Sequence, residues 1–63
     1  MWHFKAYYYS YELDKRTRVL ITVDISQLES INPAVIWQAA ISRAYWSMPD
    51  GYDELVKIKR AFN

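Results

Sequence analysis

The chain has no cysteine, one glycine, two prolines and one histidine in 63 residues. Without cysteine there is no disulfide and no thiolate metal site, two common staples of small proteins. A lone glycine, Gly51, rules out a glycine-rich loop that cradles phosphate. A lone histidine, His3, has no orienting partner nearby in sequence, so a nucleophile–base pair is not expected. Charge of one sign is missing too: net charge is +1, a poor fit to a strongly basic nucleic-acid binder or an acidic mimic of DNA. No apolar run reaches signal-peptide or membrane length. The expectation is one small domain over 1–63, non-enzymatic and cytoplasmic, with no cofactor, no metal and no membrane contact.

What the chain has is aromatic rings: three Trp, six Tyr and two Phe. A domain of about 60 residues buries only about 60% of its unfolded surface, so large rings must supply much of the core. Trp2 to Tyr11 reads as the central strand of a small sheet. Alternation places Trp2, Phe4, Ala6 and Tyr8 on one face and His3, Lys5, Tyr7, Tyr9 and Tyr11 on the other. Val19 to Ile25 is a second, half-buried strand with inward Val19, Ile21 and Val23. The polar run Asp14-Lys15-Arg16-Thr17 between them reads as the hairpin turn.

Ser26 and Glu29 have capping-box spacing, and Gln27 to Ile31 is expected to form a turn or one short helical turn. Asn32-Pro33 then starts a helix, with Asn32 as N-cap and Pro33 at the first helical position. Ile31 and Ile36 have the spacing of a hydrophobic staple. The helix is expected from about Pro33 to Ser47, with Trp37, Ala40, Ile41, Ala44 and Met48 as its core stripe and Pro49 and Gly51 as its stop. A second stripe, Val35, Ala39, Ser42 and Trp46, lies opposite. Either Trp46 folds over the helix end beside Tyr52, or it makes a homodimer or partner contact.

Tyr52 to Asn63 reads either as a helix or as a strand. The strand is favoured because a two-stranded sheet is weak in water. In that strand Val56, Ile58 and Phe62 point inward, Lys57, Lys59 and Ala61 point outward, and Arg60 interrupts the inward row. The fold is then α+β, β-β-α-β, with a three-stranded antiparallel sheet in order 2-1-3 and one helix on one face.

The open face is the candidate site. It should carry Lys5, Tyr7, Tyr9 and Tyr11, flanked by Arg18, Leu20 and Thr22 on one side and Lys57 and Lys59 on the other. Tyrosines among cations suit a protein interface. They also suit a single-strand nucleic-acid platform, where rings stack on bases and cations meet phosphates. A plain solvated face, with tyrosine serving strand packing, is the third reading. The carboxylates Asp50, Asp53 and Glu54 cluster in one turn, which reads as local capping, since no second acidic cluster completes an acid/base pair or a cation site.

The run Tyr45-Trp46-Ser47-Met48-Pro49-Asp50-Gly51-Tyr52-Asp53, followed by Val56-Lys57-Ile58-Lys59-Arg60, and the start Phe4-Lys5-Ala6, resemble the small host RNA-polymerase inhibitor made early by T-odd podophages. The resemblance implies a β-β-α-β fold and inhibition by docking on the polymerase. It places the family's binding arginines on Lys57 and on Lys59 or Arg60. Glu54 and Leu55 are additions relative to that pattern, and lysine does not reproduce a bidentate guanidinium contact. The expected function is a phage-like inhibitor or adaptor that binds a host protein through Lys5, Tyr7, Tyr9, Tyr11, Arg18, Lys57, Lys59, Arg60 and Trp46. A nucleic-acid-binding module and a homodimer are the alternatives.

Overall fold

The computed structural model describes residues 1–29 and 31–61. It has strands β1 (Trp2–Ser10), β2 (Lys15–Val23) and β3 (Glu54–Ala61), a 3-10 turn at Ile25–Gln27, and one α-helix, α1 (Pro33–Trp46). The sheet is antiparallel in order β2-β1-β3, and α1 covers one face.

The core follows the parity of β1. Phe4, Ala6, Tyr8 and Ser10 are fully buried, while the odd residues between them are half-buried. Ile21 and Val23 join them from β2, and Ile36, Ala40 and Ala44 from α1. Fully burying a Phe-sized side chain stabilises by roughly 1.5–3 kcal/mol. Ala40 and Ala44 bring the helix backbone close enough for the Tyr8 hydroxyl to donate to the Ala44 carbonyl at 2.6 Å. Ala44 lies in the last turn of α1, whose carbonyls have no helical N–H to accept from. A central-strand phenol therefore caps the helix from below. Trp37 adds an edge-to-face contact with Phe4, ring centroids 4.9 Å apart.

Local signals set most boundaries. The Asn32 side chain accepts from the Ala34 N–H at 2.9 Å and Pro33 opens the helix, as the sequence predicts. Gly51 turns the chain into β3 with φ 87, a conformation that costs glycine little.

Several expectations are corrected. The hairpin turn is Tyr11 to Asp14, not Asp14 to Thr17, and Lys15 already pairs with Ser10. The buried Ser10 hydroxyl accepts from the Leu13 N–H at 3.1 Å, and Asp14 takes φ 50, which Asp tolerates better than most residues. Strand β2 ends at Val23, because Asp24 leaves the ladder to cap the 3-10 turn, accepting from the Ser26 N–H at 3.0 Å. Ser26 is thus a donor to Asp24, not the first residue of a capping box. The staple is absent: Ile36 is buried in the core but Ile31 is 76% exposed. On the helix, Ile36 takes the core position given to Ile41, which is exposed.

Strand β3 forms as favoured, with one irregularity. Its pairing with β1 shifts between Tyr7 and Tyr8, so that Tyr7 faces Lys57 and Tyr8 faces Leu55. Val56 is the extra residue of this bulge and is exposed, and Leu55 takes its inward place. Ile58 is inward as expected; Phe62 lies outside the described residues. Arg60 pairs with Phe4 on the helix side of the sheet, its guanidinium 3.3 Å from the Trp2 ring centroid.

Candidate functional site

The uncovered face of the sheet is built from four rungs fixed by strand register. They are Thr22–His3–Ala61, Leu20–Lys5–Lys59, Arg18–Tyr7–Lys57 and Arg16–Tyr9–Glu54. Partners across an antiparallel ladder point to the same side. The structure thus brings together Lys5, Tyr7, Tyr9, Arg18, Lys57 and Lys59, all expected on this face. It adds Arg16, which the sequence analysis placed in the turn; the signal was its even spacing from Arg18.

Charge on this face is segregated. Lys5, Arg16, Arg18, Lys57 and Lys59 are five of the eight Lys and Arg residues. Among the described residues, none of these five forms an ion pair. Lys57 instead lies over the Tyr7 ring, its Nζ 4.9 Å from the centroid. Lys5 and Lys59 stand directly opposite each other, a like-charge pair that works against the ladder.

Acidic groups gather at the hairpin end. The Tyr9 hydroxyl donates to the Asp14 carboxylate, and the Tyr11 hydroxyl donates to the Glu54 carboxylate. The Tyr11 N–H donates to Asp53 Oδ2 at 2.8 Å, and the Asp53 N–H donates to the Tyr9 carbonyl at 2.9 Å. Both phenols are held above their ordinary pKa, first by the carboxylate each one bonds. Their rings meet edge to face, centroids 5.2 Å apart. Tyr11 sits in the turn past the end of β1, still beside Tyr9. Asp53 and Glu54 of the acidic cluster thus tie the start of β3 to Tyr11 in the hairpin turn instead of capping their own turn, and among the described residues no group of three acidic or histidine side chains is arranged to hold a metal ion. Near the other end, His3 Nδ1 lies 3.1 Å from Thr22 Oγ1.

Two expected site residues lie elsewhere. Arg60 is on the helix side, stacked on Trp2. Trp46 is at the end of α1, away from the open face, and 89% exposed, so it does not fold over the helix end beside Tyr52.

Arg16, Arg18 and Lys57 line a shallow groove of about 500 Å³ around Tyr7, with Tyr8, Thr17 and Val56 completing its lining. No helix among the described residues is long and apolar enough to cross a membrane. The chain matches no protein-family model, no curated protein and no solved structure.

Proposed function

We propose that the chain is a small non-enzymatic inhibitor or adaptor that docks the open face of its sheet on an acidic surface of a protein partner. The observation that carries this reading is the set of five cations around Tyr7, none of them paired with a carboxylate of the described chain. A surface of one sign steers and orients a complementary partner. Tyr7 at its centre and the exposed Leu20 beside Lys5 supply the apolar contact that charge alone lacks.

The resemblance to podophage polymerase inhibitors names a candidate partner, bacterial RNA polymerase, and a candidate setting, the host cytoplasm during takeover by a bacteriophage. On that reading Lys57 and Lys59 carry the contact. Arg60, committed to Trp2, does not. The test is capture of purified bacterial RNA polymerase, and of lysate proteins, by the tagged chain. A stoichiometric protein is expected, lost at high salt and lost in a Lys57→Glu/Lys59→Glu variant. Recovery of none overturns the reading.

The same cations favour a second reading, single-stranded nucleic acid. Ring geometry weighs against it. Lys57 occupies a face of Tyr7, and Tyr9 and Tyr11 meet edge to face with their hydroxyls bonded to carboxylates, so the three rings do not form a row of parallel stacking faces for successive bases. Flat fluorescence anisotropy with labelled oligonucleotides at low salt removes this reading.

A further inference from the structure

We infer that the groove around Tyr7 is a site for a phosphate monoester, with the phosphoryl group held by Arg16, Arg18 and Lys57 and the organic part lying along the apolar side. The inference rests on the reading of the open face as an anion-recognising surface and narrows it to one groove and one ligand chemistry.

Four observations converge. The first is charge. Three cations line a single groove, and among the described residues none of them forms an ion pair, with Glu54 the one carboxylate on their rungs. One carboxylate brings a single negative charge, whereas a phosphate monoester brings about −1.5 to −2 and three strong acceptor oxygens. The second is placement. Arg16 and Arg18 are alternate residues of β2, so their backbones stand roughly 6.6–6.8 Å apart on the same face. Lys57 stands two strands away, on the order of 10 Å from Arg18 at the backbone. Long side chains on such a frame close easily on an anion above the ring between them, and guanidinium suits phosphate through paired N–H donors.

The third is the Tyr7 hydroxyl. Tyr9 and Tyr11 donate to Asp14 and Glu54, but among the described residues the Tyr7 hydroxyl has no hydrogen-bond partner. It is left to donate to a ligand oxygen. The fourth is the bulge at Val56. The extra residue breaks the alternation of β3 beside Lys57 and puts an apolar residue in the lining of the groove, along with the Tyr7 ring. An ester with an aromatic or aliphatic body has somewhere to lie, and inorganic phosphate has only the cations. The groove volume, about 500 Å³, lies in the range of small-ligand sites.

The test is an amide and tyrosine-ring NMR titration of the full chain with four probes: inorganic phosphate, phenyl phosphate, adenosine monophosphate, and a phosphotyrosine peptide beside its unphosphorylated form. Saturable shifts at Tyr7, Arg18, Val56 and Lys57 are expected with phenyl phosphate, weaker ones with inorganic phosphate. Which of the mononucleotide and the phosphopeptide binds more tightly identifies the source of the ester. Arg18→Gln and Tyr7→Phe should each weaken phenyl phosphate binding, Arg18→Gln by about tenfold or more. Lys5→Gln, outside the groove, should weaken it far less. Shifts spread evenly over every surface cation, or equal losses in all three variants, overturn the site. If phenyl phosphate fails but a partner protein is still captured, only the groove falls. If both fail, the reading of the face falls with it.

Discussion

Tyr7 and Tyr8 are neighbours in one strand and live in different solvents. Tyr8 is fully buried, touches the helix and donates its hydroxyl to the Ala44 carbonyl. Tyr7 stands on the uncovered side beneath a lysine ammonium with its hydroxyl unspent. Nothing in residue type separates them; strand parity does. The inner side interlocks large and small apolar groups and satisfies the Tyr8 and Ser10 hydroxyls. The outer side departs from that pattern. It gathers like charges, sets Lys5 against Lys59 and, among the described residues, leaves five cations without an ion pair. Local departures of that kind, on an otherwise well-specified fold, are where binding is expected.

The contrast is broken most directly by truncating one ring of each pair. Tyr8→Ala removes a core ring and the cap of the last helical turn, and should cost about 3–5 kcal/mol. For a chain this small that is most of its stability, so loss of the cooperative thermal transition is expected. Tyr7→Ala removes a half-exposed ring and should cost no more than about 1 kcal/mol, with the melt preserved and partner capture weakened. Equal destabilisation by the two substitutions would show that the outer ring is structural.

A subtler probe is pH. Burial pushes the Tyr8 phenol above its ordinary value of 10.0. Its folded value is raised, so its contribution to stability is complete below about pH 10 and is lost as pH rises through the folded value. Tyr9 and Tyr11 move in the same direction through their carboxylate partners. The fold should therefore weaken steadily above about pH 10. Tyr8→Phe should cost about 1 kcal/mol near neutrality and flatten that alkaline decline. Chemical denaturation of both proteins at several pH values measures it.

The two sides were unequally legible in the sequence. Parity along the stretch read as Trp2 to Tyr11 separated the core row from the open row, although β1 ends at Ser10, and Asn32-Pro33 marked the helix start. A sheet of two strands needed a third, which brought Lys57 and Lys59 to the outer side. The bulge was not legible, since alternation alone cannot say where a strand gains a residue, and Val56 and Leu55 are both apolar. Arg16 was hidden for a related reason. A polar run between strands reads as a turn, but Ser10 and Asp14 close the turn earlier and leave Arg16 extended. Tertiary contacts decided the rest. Register keeps Arg60 in the inward row that alternation gave it, where it meets the Trp2 ring, and Trp46 stays in solvent, uncovered by any described element.

The smallest expected effect is the sharpest on function. Lys59→Glu turns the like-charge pair with Lys5 into an opposite one on the same rung. Cross-strand charge pairs are worth roughly 0.2–1 kcal/mol, so the variant should be more stable than the parent by that much. The gain should shrink as salt screens the pair. If the cations of the open face exist to meet an anion, this stabilised protein should also bind its partner less well, since one positive site has become negative. Stability and binding would then move in opposite directions from a single exposed residue, the signature of a group kept for recognition at the expense of the fold. Urea denaturation beside partner capture, each at low and high salt, measures both. A variant that is stabilised and binds as before would assign Lys59 to the solvated part of the sheet and confine recognition to the rungs of Tyr7 and Tyr9.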